Sequence, residues 1–273
     1  MLKTHSRLSF MNSIPIFDSL THPTFTGEWL TGTKNNASLE LLLKDMENSN
    51  TRWAFAVGMK GIGQYSEQGF AEWILSKSDN LFPVAYIDPK EPCSLEQFTE
   101  LKKQGYLGIK LHPRLSDFSL SDSRLIPIIK QAHQAGLVIF LCTYFYDRTQ
   151  TSAKNNIENL VSLLANFTDE RIMLLHSGAI RVLELVEVTR AFKNILLDLS
   201  FTLVKYEGSS LDIDIKYLFR TFDRRICIGS DFPEFSQIKM RERFEYFAKD
   251  ITAEKLENIA YKNIISFTGI NAE

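Results

Sequence analysis

The sequence predicts a (β/α)8 TIM barrel, a fold in which eight parallel strands alternate with helices around one closed sheet. Two observations support this prediction: short apolar segments rich in branched residues recur eight times in 273 residues, and segments with helical spacing lie between them. Such alternation indicates βαβ units and a parallel sheet. Because the composition does not change along the eight units, closure into a barrel is favoured over an open sheet, and the chain length suits one such domain.

The predicted strands are bounded by clear changes in pattern. They are IPIFD (14–18), WAFAV (53–57), FPVAYI (82–87), LGIKLH (107–112), LVIFLCTYF (137–145), RIMLLH (171–176), ILLDLSF (195–201) and ICIGSDF (226–232). Ser38, Ser94 and Asp122 each precede a segment with helical spacing, where a hydroxyl or carboxylate can cap the first turn. No linker, low-complexity tract or repeat divides the chain, so we expect residues 1–273 to form a single domain.

Composition excludes several classes of function. The formal charge of −2 and pI of about 6.3 show no basic excess of the kind that neutralises a nucleic acid. Three scattered cysteines argue against a disulfide framework and for a reducing compartment. No apolar run spans a bilayer, and the first residues do not have the pattern of a signal peptide. We therefore expect a soluble cytoplasmic protein that binds a small molecule and neither nucleic acid nor membrane; the oligomeric state stays open, a homo-oligomer included.

Polar residues stand at the ends of the predicted strands. In a barrel of this kind the active site lies at the C-terminal ends of the strands. The polar residues there are Asp18, His22, Lys110, His112, Arg114, Cys142, Thr143, His176, Ser230 and Asp231. Alternation along a strand puts Lys110 on the same face as His112, and Asp231 on the same face as Cys227, as inward-pointing residues require. These residues are the candidates for a functional site.

The motifs IFDSLTHP, GIKLHPR, LLHSG and IGSDFP, in this order and at these strand ends, resemble the amidohydrolase superfamily. The resemblance is to the branch of small barrels called amidohydrolase family 2, and it extends along nearly the whole chain. The C-terminal YKNIISFTG is similar to the helix that closes these barrels around an Asn, here Asn263. The family resemblance implies a metal-dependent hydrolase, in which histidines and an aspartate at the strand ends hold one or two divalent ions that activate water.

The metal ligands of the family are only partly retained in this chain. His22 matches the second His of an HxH pair after strand one, His176 the His that ends strand six, and Asp231 the Asp that ends strand eight. Leu20 stands where the first His of the pair belongs, and Cys142 stands where the strand-five His belongs. The resemblance therefore implies a degenerate metal site.

A single ion is the largest metal content that these residues can be expected to hold. A catalytic zinc has three protein ligands and one open position for water. His22, Cys142 and Asp231 can form such a set, and His176 can be a fourth ligand or a base. Cys142 can equally pack as a small hydrophobe. The expectation is one divalent ion, zinc first, or chemistry without a metal.

The leading hypothesis is a hydrolase that cleaves a lactone, ester or amide bond of a small anionic metabolite. Asp231 and His176 are the expected catalytic residues, the first as base or metal ligand and the second as the group that polarises a carbonyl or transfers protons. Lys110, His112 and Arg114 are expected to bind the anionic group of the substrate. A decarboxylase of the same family branch and a non-catalytic metabolite-binding barrel remain alternatives. Specificity is expected in the loops 19–36, 58–69, 144–155 and 202–216.

Overall fold

Eight parallel strands form one sheet in sequence order in the computed structural model, which describes residues 13–30, 33–146 and 156–271. The strands are β1 (Ile16–Thr21), β2 (Thr51–Val57), β3 (Leu81–Ile87), β4 (Gly108–Leu111), β5 (Val138–Cys142), β6 (Ile172–Leu175), β7 (Ile195–Asp198) and β8 (Ile226–Cys227). The N–H of Ser19 donates to the carbonyl of Ile228, and that of Asp231 donates to Leu20, both at 3.0 Å. These bonds join the segment after β8 to β1, and the predicted barrel is confirmed. Parts of two predicted specificity loops, residues 31–32 and 147–155, lie outside the described residues.

Helices follow the strands and cover the outside of the sheet. Those described are α1 (Leu39–Asn48), α2 (Glu67–Leu75), α3 (Leu95–Lys103), α4 (Pro113–Ser116), α5 (Leu125–Gln134), α6 (Ile157–Leu164), α7 (Val182–Ala191), α8 (Thr202–Lys205), α9 (Leu211–Thr221), α10 (Gln237–Phe247), α11 (Ala253–Glu257) and α12 (Asn263–Thr268). None of the helices in the described ranges is long and apolar enough to cross a membrane.

The helix caps follow the sequence prediction at two of three positions. The hydroxyls of Ser38 and Ser94 accept backbone N–H groups in the first turns of α1 and α3. Asp122 does not cap α5. Its carboxylate instead binds the backbone and the guanidinium of Arg124, and α5 begins at Leu125 without a side-chain cap. The prediction for Asp122 was therefore wrong, because a nearby arginine competes for the carboxylate.

Apolar side chains fill two layers, one between the sheet and the helices and one inside the barrel. The inner cluster consists of Phe17, Leu20, Trp53, Phe55, Val57, Val84, Val138, Phe140, Met173, Leu175, Leu196, Cys227 and Ile264. Leu20, at the position where the sequence resemblance implies a histidine, is fully buried in this cluster. Its side chain therefore belongs to the core of the barrel.

Several strands end earlier than the sequence pattern predicts, because the backbone turns sharply where the apolar run continues. β6 stops before His176 (φ 64°), β7 before Phe201 (φ 62°) and β8 before Asp231 (φ 59°). A positive φ is uncommon for residues with a side chain, and such positions cluster at functional sites, where the surrounding structure holds them. The two predicted catalytic residues thus lie on turns after their strands: His176 follows β6 directly, and Asp231 is the fourth residue after β8.

Asn263 fastens the C-terminal helix to the base of the barrel. Its side-chain N–H₂ group donates to the carbonyls of Asp223 and Ile226, at 2.6 and 2.7 Å. We expect Asn263→Ala to lower the free energy of unfolding by roughly 1–3 kcal/mol, since two carbonyls lose their donor. Urea unfolding will measure this change. Lys262→Ala is the control, because it removes an exposed ion pair with Glu257 and should change stability by less than about 1 kcal/mol; an equal loss in both variants would contradict the role of Asn263.

Candidate active site

A cavity of about 600 Å³ opens at the C-terminal ends of the strands. It is lined by His22, Trp29, Leu30, Met59, Ile62, Lys110, His112, Arg114, Leu115, Tyr144, Tyr146, His176, Phe201, Lys205, Asp231 and Glu234. Six of the seven residues that the sequence predicts for the site are in this lining. Cys142 is the seventh; it is buried at the end of β5 and does not line the cavity.

His22 has a defined tautomer. Its Nδ1 lies 2.8 Å from the carbonyl of Val57, and because a carbonyl can only accept, Nδ1 carries the proton. The unprotonated Nε2 points toward two groups of the site: Lys110 Nζ at 3.1 Å and Asp231 Oδ1 at 3.5 Å. Burial, together with the charge of Lys110, lowers the pKa of His22 to about 4. At neutral pH the ring is therefore uncharged and Nε2 is an acceptor.

The depressed pKa of His22 makes stability depend on pH. Its pKa is about 4 in the folded chain against an ordinary 6.5, so between these values the unfolded chain binds more protons. The contribution of His22 to the free energy of unfolding is fully present above pH 6.5 and is lost as the pH falls through 4. The change from this one group is about 3 kcal/mol. Urea unfolding of the wild type and of His22→Gln, measured from pH 8 to 4, gives the free energy of unfolding of each protein. The difference between the two free energies should shrink on acidification. A difference that is constant with pH would contradict the depressed pKa of His22.

Asp231 is ionised and surrounded by positive charge. Burial acts to raise its pKa, but His176, His22 and Lys110 outweigh burial and hold the pKa well below the usual range. The carboxylate lies at the bottom of the cavity and is 9% exposed, so a bound substrate can reach it. The residue therefore offers a fixed negative charge at the point where the strand ends meet.

His176 is the cationic partner of this carboxylate. Burial lowers the pKa of the imidazole, but the charges of Asp231 and Cys142 outweigh burial and leave the pKa above its ordinary value. The Nδ1 atom lies 3.3 Å from the carbonyl of Ser200, which fixes the ring and directs Nε2 away from that carbonyl. The backbone N–H of His176 donates to Asp198 Oδ2 at 3.2 Å. The ring is thus held as a proton donor at the cavity floor.

Lys110 lines the cavity, and Cys142 lies on the neighbouring strand outside the lining. Lys110 is 1% exposed, and burial lowers the pKa of its ammonium while the charges of Cys142 and Asp231 oppose that shift. Burial raises the pKa of the Cys142 thiol, but the charge of His176 and the hydrogen bonds of His112 and His176 lower it well below its ordinary value. Cys142 is therefore not simply a small hydrophobe, because its sulfur lies in a polar, positively charged environment.

His112 contributes to local structure as well as to the cavity. Its Nδ1 accepts the backbone N–H of Leu115 at 3.2 Å, so the ring caps α4. Burial lowers the pKa of this imidazole. A neutral ring offers a donor to an anion but no charge, which distinguishes it from Lys110 and Arg114.

Arg114 forms part of the cavity wall. Its guanidinium lies over the ring of Tyr144, 4.6 Å from the centroid, and its buried Nε has no hydrogen-bond partner among the described residues. A buried guanidinium N–H without a partner is costly unless a ligand satisfies it. Arg114 is therefore available for an anionic group in the cavity.

Aromatic rings supplied by the loops were not singled out from the sequence. Trp29 stacks on His22 with 5.4 Å between the ring centroids, and its indole N–H donates to Glu234 at 2.7 Å. Phe201 and Tyr144 form an edge-to-face pair on another part of the lining. Trp29 and Tyr144 fall in loops where specificity is expected, but loop composition alone does not show which residues turn inward.

Two buried aspartates hold the strand ends in place; Asp18 was among the polar candidates at the strand ends, whereas Asp198 was missed. Asp18 accepts hydrogen bonds from Ser230 and Gln237, and burial raises its pKa to about 7. Asp198 accepts hydrogen bonds from Ser19, from Ser200 and from the backbone of His176, and burial raises its pKa. A carboxylate inside an apolar strand end was the signal that could have found Asp198. Both residues support the turns that carry Asp231 and His176.

The donors expected for a metal do not come together as a metal site. Among the described residues, no group of three or more His, Cys, Asp and Glu side chains is arranged to hold a metal ion. The Nε2 atom of His22 would be the ligand, since Nδ1 is bound to Val57. That Nε2 faces the Lys110 ammonium at 3.1 Å, so the position of an ion is already taken by a positive charge. The residues in this arrangement do not fit a divalent metal.

A closed (β/α)8 barrel that gathers an ionised aspartate, a histidine with a raised pKa and an arginine whose Nε has no partner among the described residues defines an enzyme of the barrel hydrolase type. The amidohydrolase family model matches residues 24–268, and the chain belongs to the amidohydrolase family. The resemblance seen in the sequence is confirmed. No curated protein matches the chain with significance.

Solved structures with the same fold have low sequence identity to this chain. An uncharacterised TIM-barrel protein from Bordetella bronchiseptica has a TM-score of 0.76 at 20% identity, covering 94% of this chain and 100% of its own. A probable 2-pyrone-4,6-dicarboxylic acid hydrolase from Acinetobacter baumannii, with citric acid bound, has a TM-score of 0.69 at 14% identity over 93% and 99% of the two chains. A 5-carboxyvanillate decarboxylase from Novosphingobium aromaticivorans, complexed with manganese and a nitrobenzoic acid, has a TM-score of 0.64 at 10% identity over 95% and 97%.

Proposed function

We propose that this chain is a hydrolase that cleaves a lactone, ester or amide bond in a small anionic metabolite. The observation that carries the proposal is the pairing of charges in the cavity: Asp231 is ionised at its floor, and Arg114 lies on its wall without a partner for its Nε among the described residues. The carboxylate serves the reaction, and the guanidinium binds the anionic group of the substrate. The hydrolase with bound citric acid among the similar structures supports this choice.

In the proposed reaction a water molecule held by Asp231 attacks the carbonyl carbon. The water proton passes to the Asp231 carboxylate, and the carbonyl oxygen becomes an oxyanion that the His176 imidazolium and the Lys110 ammonium stabilise. Because the pKa of Asp231 is low, this transfer is favourable only together with the stabilised oxyanion. Collapse of the intermediate breaks the carbon–oxygen or carbon–nitrogen bond, and the proton on Asp231 returns to the leaving group.

A decarboxylase is the second candidate, and the position of Lys110 favours it. A carboxylate held by Arg114 near the negative charge of Asp231 is destabilised and leaves as CO₂. The carbanion that remains is stabilised by the Lys110 ammonium and takes a proton from the His176 imidazolium. Decarboxylases are among the solved structures with this fold. The two reactions differ in the bond broken, so one assay can distinguish them.

The test is a panel of small carboxylated lactones, esters, amides and benzoates, read by proton release for the lactones and esters, by amine release for the amides and by CO₂ release for decarboxylation. Proton or amine release that needs Asp231 supports the hydrolase, and CO₂ release without hydrolysis supports the alternative. Thermal stabilisation by the same compounds without either product would indicate a metabolite-binding barrel that has lost its chemistry. Arg114→Met should weaken binding at least about tenfold in all three cases.

Further expectations from the sequence extend this proposal. We propose that the barrel forms a single domain of residues 1–273, and that it acts in the cytoplasm, where its free thiols, Cys93, Cys142 and Cys227, stay reduced. The sequence left zinc or no metal as alternatives; we propose that the reaction needs no metal.

A further inference from the structure

The acceptors at the floor of the cavity are arranged around a positive charge. The Nε2 of His22 and the Oδ1 of Asp231 are 3.5 Å apart. Nε2 is unprotonated because Nδ1 donates to Val57, and the carboxylate is also an acceptor, so these two atoms repel each other unless a donor or a cation lies beside both. Such an arrangement, two acceptors facing each other, is typical of a cation site.

The Lys110 ammonium is the donor that this arrangement requires. Its Nζ lies 3.1 Å from Nε2 of His22, and its charge interacts with Asp231 and Cys142. The positive charge of Lys110 also interacts with His176. All four residues expected to hold a metal therefore interact with this one side chain, His22 by direct contact and the others through its charge. A lysine that is 1% exposed would be very costly without such partners.

We propose that the Lys110 ammonium is the permanent cation of this active site and takes the place of a divalent metal ion. Replacement of the first family histidine by Leu20, which is buried in the barrel core, removes a ligand on one side. On the other side, the side chain of Lys110, which comes from β4, supplies a positive charge. The chain thus keeps donors oriented for a cation and provides the cation from its own sequence.

Electrostatics gives the proposal a measurable consequence. At the effective dielectric of a protein site, a unit charge about 4 Å from a divalent ion disfavours binding by at least about 10³-fold. Removal of the ammonium should therefore release this penalty and free Nε2 of His22 as a ligand. Lys110→Ala opens space for an ion, whereas Lys110→Met removes the charge but fills the space, and so serves as the matched control.

The experiment measures metal content and not turnover, so it does not depend on the proposed reaction. The full chain, expressed in medium supplied with zinc and manganese, is analysed for bound metal and titrated calorimetrically with ZnCl₂ and MnCl₂. We expect wild type and Lys110→Met to bind no ion at this site, and Lys110→Ala to bind about one equivalent with an affinity at least about 10³-fold higher than wild type. Adding His22→Ala to Lys110→Ala should abolish this binding.

Three results would count against the proposal. The first is stoichiometric zinc or manganese in the wild type that is lost in His22→Ala, and this result needs only the wild type and one variant. The second is a folded Lys110→Ala protein, judged by its far-ultraviolet circular dichroism and cooperative melting, that still binds no metal. Binding that persists in the double variant would place the ion elsewhere, and would also count against the proposal.

Discussion

Asp231→Asn is expected to lower turnover at least about 10²-fold, the low end for loss of general acid–base catalysis. The substitution keeps the shape of the side chain and deletes its charge. Since Asp231 faces Nε2 of His22 at 3.5 Å and its charge offsets those of His176 and Lys110, the variant should also lose about 3–5 kcal/mol of stability. Turnover and urea unfolding, measured on the same preparation well below the melting temperature, will separate the two losses.

Glu234→Gln is the matched control for Asp231→Asn. Glu234 is a second carboxylate of the cavity lining, but it accepts a hydrogen bond from Trp29, which a glutamine oxygen can also accept. We expect its turnover to stay within a few-fold of wild type. Full activity in an Asp231→Asn protein that is merely destabilised would remove the catalytic assignment and most of the case for an enzyme.

The barrel could be predicted from the sequence because its signals are local and repeated. Buried parallel strands require continuous apolar runs, and the eight runs found in the sequence correspond to the eight strands. The ends of the strands were less predictable. In the runs RIMLLH and ICIGSDF, the sequence pattern does not mark His176 and Asp231 as the residues that adopt a positive φ. That turn depends on contacts between strands, such as the bond from the N–H of Asp231 to Leu20, which no local pattern contains.

The candidate site was predictable to the extent that a barrel gathers its strand ends. Lys110, His176 and Asp231 come from three separate strands, and the fold alone brings them to one cavity. The contacts between the side chains of the site were not predictable. The sequence assigned Lys110 to the substrate, whereas its contact with His22 places it where a metal was expected. Side-chain reach and tautomer decide that difference, and neither is visible in the spacing of motifs.

Charge in the site is arranged in two levels. The lower level, formed by Lys110, Asp231, His176 and Cys142, is buried, and its charged groups interact mainly with one another. The upper level is the wall of the cavity, where the guanidinium of Arg114 packs on Tyr144. Because a group already satisfied by neighbours has little affinity left for a ligand, substrate recognition should depend on the upper level and chemistry on the lower one.

Arg114→Met is therefore expected to raise KM for an anionic substrate at least about tenfold, since a hydrogen bond to a charged group contributes about 1.5–3 kcal/mol. Stability should change by only about 1 kcal/mol, because the substitution removes the stacking of the guanidinium on the Tyr144 ring. Arg114→Lys should not restore KM, since lysine lacks the planar fork that binds a carboxylate through two bonds.

Arg124→Met, which removes an exposed arginine paired with Asp122, is the control. Steady-state kinetics on the anionic substrate and on its neutral methyl ester will test the assignment, because only the anion should lose affinity. An unchanged KM for the anion in Arg114→Met would show that another group recognises the charge.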